Sequence, residues 1–105
     1  MITVWHNDRF LDYMLKGDEA LKSTVVHKVA CVATNNLDTA YQLTNHIEQS
    51  WTKNPFVQVL NVSGAVRSTS AGDIMIHNDK CYVVDVCGFR ELNRAEQAEL
   101  TFHTI

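Results

Sequence analysis

The segment from residue 74 to residue 84 restricts the fold more than any other part of the chain. Ile74-Met75-Ile76-His77 and Lys80-Cys81-Tyr82-Val83-Val84 flank Asn78-Asp79, and these two residue types tolerate the positive φ that a two-residue hairpin demands. In the register set by such a turn, Ile74 faces Val83, Met75 faces Tyr82 and Ile76 faces Cys81. One face of the ribbon then carries Ile74, Ile76, Cys81 and Val83, and the other Met75, Tyr82, Val84 and Val86. Both faces are apolar, so the ribbon belongs inside a sheet covered on both sides, or in a small curled barrel, and not at a solvated surface.

The remaining pattern fits an α+β domain around that ribbon. Ile2-Thr3-Val4-Trp5 reads as a short strand that His6-Asn7-Asp8 breaks, and Phe10, Tyr13, Met14 and Leu21 are scattered anchors about a turn at Gly17-Asp18. Residues 25–34 are rich in β-branched side chains and suit a largely buried strand. Asn35-Asn36 then offers a helix N-cap, with Asp38 in the first turn where the helix dipole favours a carboxylate. Leu37, Ala40, Tyr41, Thr44, Ile47 and Trp51 recur at spacings of three and four, which predicts a helix over about 37–51. Asn54-Pro55 stops it, and Phe56 to Leu60 alternates as a strand. Gly88-Phe89 bends the chain away. Asn93 with Glu96 predicts a capped short helix through about Leu100, followed by an apolar tail holding Phe102 and Ile105. The expected architecture is a single domain over residues 1–105: a mainly antiparallel, barrel-like sheet packed on the principal helix at 37–51, with a short C-terminal helix. A chain of 105 residues buries about two-thirds of its unfolded surface, enough to fold without metals or disulfides.

Charge and motif spacing narrow the function. Lys and Arg number 9 against 12 Asp and Glu, a net charge of −3, which gives no overall attraction for phosphate backbones or anionic lipid. His6, Asp8, Arg9 and Asp12 interrupt any apolar leader, and the longest strongly apolar stretch, Val29 to Ala33, is far below the roughly 20 residues that span a bilayer. A cytoplasmic location without membrane contact is expected. Cys31, Cys81 and Cys87 read as free, buried thiols, the last two about 20 Å apart on one strand. The histidines show no His-x-His or His-x-x-x-His spacing and the cysteines no Cys-x-x-Cys pair, so no metal is expected. Glycine-rich phosphate loops, nucleophile elbows and dinucleotide fingerprints are also missing from the sequence, and no cofactor is expected.

The candidate site is the polar turn Arg67-Ser68-Thr69-Ser70-Ala71-Gly72-Asp73. The guanidinium, the three hydroxyls and the N–H groups of a loop containing Gly72 are donors able to converge on a phosphate or carboxylate. The same residues also suit a purely structural role, with Ser68, Thr69 and Ser70 satisfying the loop backbone, Gly72 permitting the bend and Asp73 starting a strand. Asp85, between Val84 and Val86, calls for a partner, either Arg67 or Arg90. Trp5, Tyr41, Trp51 and Phe89 offer faces on which bases could stack, although Tyr41 and Trp51 also share the apolar helical stripe. Asn45 and His46 lie on the polar shoulder of that helix.

Ala40-Tyr41-Gln42-Leu43-Thr44-Asn45, then Ser50-Trp51-Thr52, the turn from Arg67 to Asp73, and finally Tyr82-Val83-Val84 with Gly88-Phe89 together resemble a small uncharacterised bacteriophage family over most of the chain. Ala71 stands where that pattern has valine. The final strand and its Gly-Phe are also similar to YodL-like domains of mobile elements. The resemblance implies an accessory protein of the host cytoplasm and supplies no catalytic residues. Together with the missing catalytic motifs it favours a non-enzymatic binding module whose partner is a host or phage protein. The other reading is a nucleic-acid or nucleotide-binding module similar to PUA-like and ASCH-like barrels, using the 67–73 turn. An enzyme would need a pocket built on Asp73, His77 or Asp85.

Overall fold

The computed structural model describes residues 1–45, 57–59 and 67–103. Its elements are β1 (Ile2–Asn7), α1 (Phe10–Lys16), a 3-10 segment (Gly17–Leu21), β2 (Thr24–Val32), α2 (Leu37–Leu43), β3 (Val57–Val59), β4 (Ile74–His77), β5 (Lys80–Val84), β6 (Phe89–Glu91), α3 (Arg94–Ala98) and β7 (Leu100–His103). The strands join in one sheet in the order β3-β2-β1-β4-β5-β6, with β7 also beside β2. The pairings are antiparallel except that of β2 with β7. The sheet curls into a half-barrel, and the fold is α+β.

The hairpin forms in the expected register, Ile74 opposite Val83, Met75 opposite Tyr82 and Ile76 opposite Cys81. Asn78 and Asp79 adopt φ of 50° and 65°, the left-handed pair that matches strand twist across a two-residue turn. Its two faces feed two separate cores. Met75 and Val84 pack with Ile2, Val4, Ala30, Val32 and Ala40 of α2. Ile74, Cys81 and Val83 pack with Trp5, Tyr13, Leu21, Val26, Leu92 and Leu100 on the side of α1. Each fully buried aliphatic side chain contributes about 1.5–3 kcal/mol, so the curled sheet is held from both sides. Val86 does not extend the apolar face: it lies past the end of β5 and is exposed.

Strand β2 has divided company. One edge pairs with β1, with a register shift between Val4 opposite Ala30 and Trp5 opposite Lys28 that leaves Val29 as an extra, bulged residue. Its other pairings split along its length, Ala30–Val32 with β3 and Thr24–His27 with β7.

Several expectations are corrected. β1 continues through His6 and Asn7, which are buried, because their polar groups find partners far along the chain. Helix α2 starts on Asn36, whose side chain accepts the Thr39 N–H, and turns Leu37, Ala40, Tyr41 and Thr44 inward. It closes at Leu43: Thr44 leaves helical geometry at φ −111°, and its carbonyl is taken by the Thr69 N–H. The rest of the expected helix, with His46 and Trp51, lies outside the described residues. Gly88, at φ +88°, makes the expected bend, but Phe89–Glu91 returns as β6 against β5. The Asn93/Glu96 capping box is present, α3 ends at Ala98, and the tail is strand β7. Of the thiols, Cys81 is buried and Cys31 partly so, while Cys87 is exposed in the turn after β5. Burial pushes the Cys81 thiol up to about 12, which leaves it protonated and inert. No described helix is long and apolar enough to cross a membrane.

Candidate functional site

In the 67–73 turn the Arg67 guanidinium and the Ser70 N–H close on a single anion, the carboxylate of Asp73. Arg67 Nη1 donates to Asp73 Oδ2 and Nη2 to Oδ1, each at 2.7 Å. The Ser70 N–H reaches Oδ2 at 2.7 Å and the Asn7 N–H reaches Oδ1 at 2.8 Å. Asp73 is wholly buried. A buried carboxylate is tolerable only when opposite charge and hydrogen bonds fill its lone pairs, as this fork and two amides do. Arg67 also donates to the Asn7 and Ser68 carbonyls and lies 3.7 Å from the centre of the Phe10 ring.

The other residues of the turn join distant elements to this pair. Thr69 donates its N–H to the Thr44 carbonyl and accepts from Asn45 Nδ2 on its own carbonyl, both at 2.9 Å. The Ser70 hydroxyl donates to the Ser68 carbonyl. The Gly72 N–H donates to the Val84 carbonyl, and the Gly72 carbonyl accepts from Asn7 Nδ2. The turn therefore fastens the end of β1, the C-terminus of α2, the start of α1 and the end of β5 to one another. An external phosphate or carboxylate would have to compete with Asp73 for Arg67 and the Ser70 N–H, while the Thr69 and Gly72 N–H groups and the Ser70 hydroxyl are taken by carbonyls. Among the described residues no buried side-chain polar atom lacks a partner.

Sequence reasoning missed His6 and Asn7 as members of this cluster. Their only sequence signal is two polar residues directly following an apolar strand, which reads equally well as a strand end. His6 is buried, shares a 3.0 Å hydrogen bond between Nε2 and Thr69 Oγ1, and lies 3.9 Å from Asp73 Oδ2. Burial pushes its pKa down to about 4, against the pull of Asp73 and with the Arg67 charge adding to the fall. A depressed folded-state pKa means that the unfolded chain binds the proton first. The stability tied to neutral His6 is therefore present above pH 6.5 and lost as pH falls towards 4. Urea titrations should show the wild type losing about 2 kcal/mol more than His6→Gln between pH 7 and pH 5; parallel profiles would remove His6 as the source.

The remaining candidates are placed differently from one another. Asp85 pairs with neither Arg67 nor Arg90: it sits at the turn after β5, accepts the Val86 N–H and lies beside the Tyr13 phenol. Burial first, and Asp85 second, raise the Tyr13 pKa. Arg90 is instead bound by Asp18 and Glu96. Trp5 is a core residue, edge-on to Phe102 with ring centres 5.1 Å apart. Tyr41 and Phe89 meet edge to face at 6.3 Å, and with Asp38, Val84, Asp85, Val86 and Gly88 they line a concavity of about 130 Å³. Two motifs far apart in sequence thus converge, yet the carboxylates of Asp38 and Asp85 make this rim unfavourable for a phosphate. Comparison with known proteins finds no family, no curated protein and no solved structure that matches the chain.

Proposed function

We propose that the protein is a non-enzymatic protein-binding module, an accessory protein of the bacteriophage type that engages a host or phage protein in the host cytoplasm. The observation that supports this reading most directly is the outer face of α1, where Leu11, Met14 and Leu15 are 67%, 58% and 83% exposed. They are spaced three and four apart, so they form one stripe, while Tyr13 of the same helix is buried. A contiguous apolar stripe on an otherwise well-packed small domain marks a surface that a partner covers. Nucleic-acid binding has weaker support, because Arg9, Arg67 and Arg90 each close an ion pair with a carboxylate and the net charge is negative.

The test compares immobilised wild type with the Leu11→Ser/Leu15→Ser double variant. These side chains are exposed, so the variant should retain the wild-type circular dichroism. Proteins retained from host lysate by the wild type in high salt should drop at least tenfold on the variant, since apolar contacts resist screening. An unchanged set of retained proteins, or saturable binding of mixed oligonucleotides that weakens steeply with salt, would reject the proposal.

A further inference from the structure

The parallel pairing of β7 with β2 places His27 opposite His103, two residues that no local spacing connects. Their rings meet edge to face with centres 5.2 Å apart. Asp8 Oδ2 lies 3.0 Å from His27 Nε2, and Asp8 and His103 are exposed while His27 is partly so.

Two imidazoles sharing one zinc ion, with each nitrogen about 2.1 Å from the metal at a tetrahedral angle, have ring centres roughly 5 Å apart. The observed separation of the ring centres, 5.2 Å, matches that spacing. A carboxylate on the second nitrogen of a ligating histidine fixes its tautomer and ring orientation. Asp8 stands in that position, and with Nε2–H donated to it, Nδ1 of His27 carries the lone pair. The negative charge of Asp8 also favours a cation nearby. Among the described residues no three metal-ligating side chains converge, which limits the protein's share to a pair of nitrogens, with water completing the shell.

We propose that His27 and His103, with Asp8 as the orienting carboxylate, form a binding site for a divalent transition-metal ion of the zinc, nickel or copper class, which imidazole ligands suit. A metal held there spans β2 and β7 and so fastens the C-terminal strand to the sheet. Binding to the folded state alone would raise stability with metal concentration.

The experiment is calorimetric titration of Zn²⁺ into the untagged protein carrying Cys87→Ser, which removes the exposed thiol as a competing ligand. One ion should bind per chain. His27→Ala and His103→Ala should each weaken binding at least tenfold, and Asp8→Asn about tenfold as an outer partner. Paramagnetic Ni²⁺ should broaden amide signals of residues 26–28 and 101–103 first. Affinity unchanged in His103→Ala, binding present before but absent after Cys87→Ser, no binding at all, or broadening centred elsewhere would each overturn the assignment.

Discussion

Asp73→Asn is expected to destabilise the protein by about 3–5 kcal/mol, the usual result of removing one partner from a buried ion pair. The asparagine matches the shape of aspartate but presents one amide nitrogen towards a cluster made of donors. Arg67, the Ser70 N–H and the Asn7 N–H all point at this carboxylate, so at least one of them faces Nδ2 without an acceptor. Arg67, whose side chain is only 30% exposed, loses the Asp73 charge at the same time. In a domain of this size the loss corresponds to a fall of about 15–30 °C in melting temperature. Arg67→Lys keeps the charge but not the fork, and should cost less, about 1–2 kcal/mol. Thermal and urea unfolding of the two variants measure both effects. A change below 1 kcal/mol for Asp73→Asn would mean that the turn, not the ion pair, joins the four elements.

The parts of this fold legible in the sequence are those decided by near neighbours. The hairpin register follows from Asn78-Asp79 and strict alternation, and the capping box from Asn93 and Glu96, three residues apart. The buried stripe of α2 follows from Leu37, Ala40, Tyr41 and Thr44. What escaped was decided by contacts far along the chain. His6 and Asn7 look like a strand end because their acceptors and donors, Thr69, Gly72 and Asp73, lie some sixty residues later. Leu100–His103 reads as a helix end followed by an apolar tail because a parallel partner leaves no turn signature. Helix α1 was hidden for another reason: Leu11, Met14 and Leu15 face outward, so its apolar pattern does not report its buried side.

The same reasoning explains the candidate site. Arg67, the hydroxyls and Gly72 announce a donor-rich bend, and the sequence order even places a carboxylate at its end. Residue spacing does not say whether Asp73 turns into the bend or away from it, and so leaves open whether the anion is internal. That choice is made by Asn7, whose N–H and side-chain amide reach Asp73 and the Gly72 carbonyl from the central strand.

Gly72→Ala is the second large effect, about 3–4 kcal/mol of destabilisation, and it tests whether α1 is firmly seated on the turn. Gly72 has φ +95°, and a Cβ there would sit 2.7 Å from Tyr13 Cβ and 3.3 Å from the Phe10 Cα. The first of these atoms is attached directly to the α1 backbone and the second belongs to it, so no side-chain rotation relieves the contact. Backbone strain at positive φ contributes about 1–2 kcal/mol and forced overpacking about 1–3 kcal/mol more. Gly88 separates the two terms: it has φ +88° but open space around its Cβ position, so Gly88→Ala should cost only the strain. The difference between the two variants in urea unfolding, about 2 kcal/mol, reads the contact between α1 and the turn. Equal losses would mean that α1 yields freely. A helix that yields cannot hold Leu11, Met14 and Leu15 in one fixed stripe, and the protein-binding reading would lose its rigid surface.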